Sequence, residues 1–116
     1  MSESAAQAER EIAEDTAAFC MEHIQEHYTI QRLAERAGIS PTKLKIVFRH
    51  VYGAPLFAYI RAEKMRFAAR ELDTTNYRIV DIALSCGYDN ASKFSAAFRA
   101  VIGCSPKEYR DRVRSE

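Results

Sequence analysis

Helix-breaking residues are scarce in this 116-residue sequence, which holds four glycines and three prolines. That scarcity favours helices over a loop-rich scaffold. Cysteine is sparse as well: Cys20, Cys86 and Cys104 are an odd number at unrelated spacings, so no disulfide framework is expected and a reducing compartment fits. No stretch approaches the roughly 20 apolar residues of a membrane span. The polar opening MSESAAQAER lacks the apolar run of a signal peptide. No segment alternates with a period of two over a useful length, so sheet is not expected. A glycine-rich phosphate loop, an HExxH pair and a nucleophile beside a base are all missing, which leaves no catalytic residue to name.

What is present looks ordinary until it is divided along the chain. With 47% hydrophobic and 28% charged residues, the sequence has the balance of a folded protein of about one domain. The net charge of +1 conceals an asymmetry. Residues 1–26 hold seven acids against the single base Arg10, whereas the rest holds sixteen bases against nine acids. Such a division suggests a basic body that meets a polyanion, with the acidic segment kept away from it.

Local signals divide the chain into about seven helices, an all-α class. A flexible acidic tail is expected over residues 1–9 and a first helix over 10–27, where Ile12, Thr16, Phe19, Cys20, Ile24 and Tyr28 recur at helical spacing. Thr29 caps a second helix that ends at Gly38, and Ser40 with Pro41 opens a third that runs to Gly53. Pro55 opens the longest helix, through Leu72. Asn76 caps a fifth ending at Gly87, and Asp89 or Asn90 a sixth ending at Gly103. Ser105-Pro106-Lys107-Glu108 combines cap, first-turn proline and capping-box glutamate, and so starts a seventh.

An internal repeat organises these helices. Leu33-Ala34 with Gly38-Ile39 matches Ile82-Ala83 with Gly87-Tyr88. One residue later in register, Leu44, Phe48, Arg49, Gly53 and Tyr59 match Phe94, Phe98, Arg99, Gly103 and Tyr109. Each copy reads helix, glycine turn, helix. The Ala-x-x-x-Gly spacing supplies the small residue and the turn that two steeply crossing helices need. Residues 10–53 and 76–116 are thus expected to be two helix-turn-helix subdomains joined by a linker helix over 54–75.

The faces of the third and sixth helices suggest a ligand. Leu44, Val47, Phe48 and Val51 form an inward stripe and leave Thr42, Lys45, Ile46 and Arg49 outward. Phe94, Ala97, Phe98 and Val101 likewise leave Ser92, Ser95, Ala96 and Arg99 outward. Side chains near the start of such a helix can reach base edges while a later arginine meets phosphate, and an exposed Ile46 suits a thymine methyl. Lys43 and Lys93 add charge to the same two helices. A helical module whose basic face binds an acidic partner protein is the alternative.

Taken together, these residues resemble the DNA-binding region of the AraC/XylS family of bacterial transcription regulators. The resemblance runs from about Ala17 to Arg110. It is most specific in Asp81-Ile82-Ala83, Gly87-Tyr88, Phe94, Phe98-Arg99, Gly103, Ser105-Pro106 and Tyr109-Arg110, with Lys64-Met65, Ala68 and Leu72 matching the linker pattern. It implies base contacts at Thr42, Lys45 and Ile46, then at Ser92, Ser95 and Ala96, and phosphate contacts at Arg36, Arg49 and Arg99. Lys43 and Lys93 are added to the phosphate set. An arginine is frequent in the family where Ile46 and Ala96 stand, so the relatives' sequence preference does not carry over. The implied protein is a small stand-alone activator in the cytoplasm, associated with the nucleoid; a C-terminal fragment of a longer regulator would carry the same residues. It would bind double-stranded DNA as a monomer, engage RNA polymerase, avoid membranes and need no cofactor.

Other clusters receive structural readings. Cys20, His23 and His27 share one side of the first helix but lack the fourth ligand of a structural zinc, so a core cysteine with surface histidines is expected and no metal site is named. Cys86 is expected to be packed. Cys104, in a loop before Ser105, is the only thiol for which redox chemistry is plausible, and a structural role is expected for it as well. Asp81 and Glu108 serve as helix-start residues.

Overall fold

The structure, a computed structural model, describes residues 3–115. Among the described residues there are seven helices and no strand: α1 Glu3–Glu22, α2 Ile30–Ala37, α3 Pro41–Tyr52, α4 Leu56–Thr74, α5 Ile79–Ser85, α6 Ala91–Ile102 and α7 Pro106–Arg114. They form two compact units that divide inside α4, one reaching to Ile60 and the other starting at Arg61.

In the first unit α1 and α2 pack on α3 and on each other. Ala13, Ala17 and Cys20 from α1 meet Leu33 and Ala34 from α2 and Leu44, Val47 and Phe48 from α3, with Leu56 and Ile60 closing the core. Phe48 is fully buried and lies 4.8 Å from the Tyr52 ring and 5.5 Å from Tyr59. Its burial contributes about 1.5–3 kcal/mol. In the second unit α6 packs on α5 and α7. Phe94 and Phe98 are buried along with Met65, Ala68, Leu72, Ile82 and Ala83. The Phe98 ring meets Tyr109 edge-on at 5.7 Å.

The turns follow from residue chemistry. Gly38 sits at φ 75° and Gly87 at φ 88°, in the left-handed region that glycine enters without steric cost. A Cβ at Gly38 would meet nothing within 4 Å, so backbone conformation rather than crowding selects glycine there. Ala34 and Ala83 are buried one turn earlier. Ser40 accepts from the Lys43 amide at 3.1 Å and Asn90 from the Lys93 amide at 3.0 Å. Ser105 and Glu108 complete a capping box.

Several sequence expectations need correcting. The first helix begins at Glu3 instead of Arg10, so residues 3–9 are helical; the first two residues of the expected tail lie outside the described residues. Alanine, glutamine and glutamate dominate this stretch and are strong helix formers, and Gln7 donates to Glu11 one turn on at 3.1 Å. The helix also stops at Glu22, five residues early. Tyr28 turns back onto Phe19, with ring centroids 5.1 Å apart, so it continues the apolar cluster without continuing the helix. Asn76 does not cap α5. Arg78 holds that position with no side-chain cap, and the Asn76 side-chain oxygen Oδ1 instead accepts from Arg114 at 2.9 Å. Cys104 is buried, in keeping with the structural role expected of it.

Candidate nucleic-acid interface

Apolar spacing fixes which side of α3 and α6 faces solvent. Because Leu44, Val47 and Phe48 are buried, Thr42, Lys45, Ile46 and Arg49 are exposed, Ile46 to 47%. Because Phe94 and Phe98 are buried, Ser92, Lys93, Ala96 and Arg99 are exposed, while Ser95 is half-buried. Each unit therefore presents a capped helix with short polar side chains in its first turn and a guanidinium two turns later. Exposed Ile46 and exposed Ala96 occupy equivalent places on the two helices.

The cations differ in what they touch. Arg36 on α2 pairs with Asp15 at 2.5 Å and lies over the Phe19 ring at 4.0 Å. Lys43 approaches Glu9 at 3.8 Å. Arg99 pairs with Glu108 at 3.2 Å. By contrast, Lys45, Arg49 and Lys93 take part in none of the ion pairs found among the described residues. Exposed pairs of this kind contribute about 0–1 kcal/mol each, so they hold side chains loosely and release them easily. Contact with Ser105, through its hydroxyl and then its backbone N–H, keeps the Glu108 carboxyl below the ordinary range, and nearby Arg99 adds to the effect.

The acidic segment is not kept away from the basic body, as its charge alone suggested. Helix α1 packs directly on α3, and Glu9, mostly shielded from solvent, faces both Lys43 and His50. The sequence reading missed Glu9 and His50. The signal was there: Glu9 lies one turn before Ala13, Thr16 and Cys20, on the same buried stripe of α1. Thr16 satisfies its hydroxyl on that stripe by donating to the Ile12 carbonyl at 2.8 Å.

The remaining clusters resolve structurally. Cys20 is buried, His23 is exposed and pairs with Glu26 at 3.1 Å, and His27 is exposed. Among the described residues no three potential metal ligands come together. Burial pushes the Cys86 thiol up to about 11, and its sulfur lies 3.8 Å from the Lys64 carbonyl. Asp81 pairs with Arg78 at 2.9 Å in the first turn of α5. No described helix is long and apolar enough to cross a membrane.

Arg110, part of the motif that carried the resemblance, is a structural clamp. It donates to the carbonyls of Leu72 at 3.1 Å, Tyr77 at 2.7 Å and Thr75 at 3.2 Å. Arg114 reinforces it on Leu72 at 3.3 Å and on Thr75.

Comparisons with known proteins agree with this geometry. Residues 33–112 match a family described as a helix-turn-helix domain. The transcriptional activator AarP of Providencia stuartii is 39% identical over 82 residues, covering 71% of this chain and 61% of its own length. The regulatory protein SoxS of Escherichia coli K12 is 36% identical over 104 residues, covering 90% of this chain and 97% of its own. The DNA-binding domain of the global transcriptional factor AdpA, solved in complex with a target DNA, superposes with a TM-score of 0.82 at 27% identity. That superposition covers 89% of this chain and 93% of the AdpA domain. Joined to the duplicated helix-turn-helix arrangement, these similarities establish that the chain belongs to the AraC/XylS family of DNA-binding transcription regulators.

Proposed function

We propose that this chain binds double-stranded DNA in a sequence-dependent way and activates transcription by helping RNA polymerase engage a promoter. One observation carries the reading. Two repeat-related helices each expose short polar residues at the start and an arginine later, on surfaces that the buried stripes leave free. In this reading Thr42, Lys45 and Ile46 meet base edges in one major-groove segment, and Ser92, Ser95 and Ala96 in the next. Arg36, Lys43, Arg49, Lys93 and Arg99 meet phosphates. Ile46 offers an apolar contact to a thymine methyl, and Ala96, whose methyl carries no donor or acceptor, can offer only a smaller contact of the same kind. Half-buried Ser95 reaches a base less easily than exposed Ser92. The chain acts as a monomer on an asymmetric site, within the nucleoid, and no catalytic role is assigned to it.

Affinity measured against salt, on fragments selected from genomic DNA, tests the proposal. The log–log slope should reach several units and the affinity should vary with sequence. Arg49→Ala should weaken binding to every sequence alike and lower the slope by about 0.9, the amount one phosphate contact supplies. A slope near zero, or equal affinity for all fragments, would overturn it. Binding to an acidic protein in place of DNA would return the alternative.

A further inference from the structure

The outward face of α3 borders a recess that DNA recognition does not explain. It encloses about 230 Å³. Ile30 at the start of α2 and Pro55, Leu56 and Phe57 at the start of α4 form apolar walls, and Lys45 and Arg49 stand at the rim. The lining contains no acid. Phe57 is 42% exposed, an aromatic ring left partly in water, whereas Phe48, Phe94 and Phe98 are fully buried and Phe19 and Phe67 half-buried. Neither Lys45 nor Arg49 pairs with a described carboxylate. Elsewhere in the same unit, Arg36 and Lys43 each face one, Asp15 and Glu9.

We propose that this recess binds a small amphipathic anion, a single ring or short hydrocarbon chain bearing one carboxylate, and that its occupancy competes with DNA. Size points to one ring. A cavity of about 150 Å³ accommodates benzene, whereas drug-sized ligands need roughly 300–1,000 Å³. The walls desolvate the hydrocarbon against Phe57 and Leu56, while the carboxylate accepts charge-assisted hydrogen bonds from the Arg49 guanidinium and the Lys45 ammonium. The competition rests on the DNA reading above, because Lys45 and Arg49 are among the groups assigned to bases and phosphate. The binding itself does not.

The experiment uses the full chain, benzoate as probe and amide chemical-shift titration at constant ionic strength. Benzoate should saturate with a dissociation constant on the order of millimolar, with shifts centred on Ile30, Lys45, Arg49, Leu56 and Phe57. Acetate, which lacks the ring, and benzyl alcohol, which lacks the charge, should bind about tenfold more weakly. Phe57→Ser, at an exposed position outside the proposed DNA contacts, should weaken benzoate about tenfold and leave the thermal midpoint in place. Saturating benzoate should weaken binding of a selected DNA fragment several-fold over chloride in the parent chain and not in Phe57→Ser. Scattered or unsaturable shifts, an equal response to benzyl alcohol, or unchanged binding by Phe57→Ser would overturn the site. Saturation without loss of DNA affinity would overturn the competition. A chain that saturates with benzoate and binds no DNA would keep the site while ending the DNA reading.

Discussion

Replacing Arg110 with alanine is a sharp test of how the second unit is held. Its guanidinium serves three carbonyls where α4 ends: Leu72, Thr75 and Tyr77. Hydrogen bonds from a charged donor contribute about 1.5–3 kcal/mol each. Two of the three are shared, since Arg114 also donates to Leu72 and Thr75, so only the Tyr77 carbonyl depends on Arg110 alone. The expected loss for Arg110→Ala is therefore about 2–3 kcal/mol, well short of the full sum. In thermal melts that corresponds to roughly 8–15 °C. Arg110→Lys keeps the charge but not the planar fork and should recover less than half. Because the arginines cover for each other, Arg110→Ala with Arg114→Ala should cost about 1 kcal/mol more than the two singles added. A single-mutant loss below about 0.5 kcal/mol in urea titrations, or strict additivity, would refute this account of the clamp.

Further outcomes follow from the same geometry. Phe98→Ala should cost about 3–5 kcal/mol by opening a cavity in the second core, and an unchanged melting midpoint would show the ring does not carry that core. Glu108 has a folded-state pKa lowered by its contacts with Ser105, so its stabilisation is present above the ordinary value of 4.5 and is lost as pH falls through the folded value. Glu108→Gln should accordingly flatten the acid limb of a stability–pH curve, and superimposable curves would count against the capping box. Cys20, Cys86 and Cys104 are all buried, so an aromatic disulfide reagent should label the native chain far more slowly than the urea-unfolded chain, whereas prompt reaction of one thiol would contradict the packing. Thr42→Ala and Ser92→Ala should shift the preferred bases in a site-selection experiment more than they shift overall affinity, and identical preferences would remove both from the base-reading set.

Signals confined to one turn or one repeat were legible in the sequence. Ser40 with Pro41 and Ser105 with Glu108 announce helix starts because cap and partner lie within four residues. The outward faces of α3 and α6 followed from the spacing of Leu44, Phe48, Phe94 and Phe98. Signals that depend on distant partners were not legible. Asn76 has the chemistry of a cap, but an arginine 38 residues later claims its side chain. Tyr28 keeps the helical spacing of α1 yet lies beyond its end, where a return onto Phe19 keeps the half-buried ring against the first core. Net charge located the acidic segment but said nothing of what it touches. Only the helical register of Glu9 with Ala13 and Cys20 placed a carboxylate beside α3.

That carboxylate and its two counterparts alter how the proposed binding should respond to ions. Glu9, Asp15 and Glu108 already neutralise Lys43, Arg36 and Arg99, so the fold carries three counter-ions of its own. A phosphate that takes over one of these cations still sheds the cation condensed on it, but the displaced carboxylate is left beside the DNA and attracts a dissolved cation in its place, so the net release is smaller. The chain should thus behave toward salt as if it had fewer positive charges than it presents, with Arg49 and Lys93 accounting for most of the measured sensitivity.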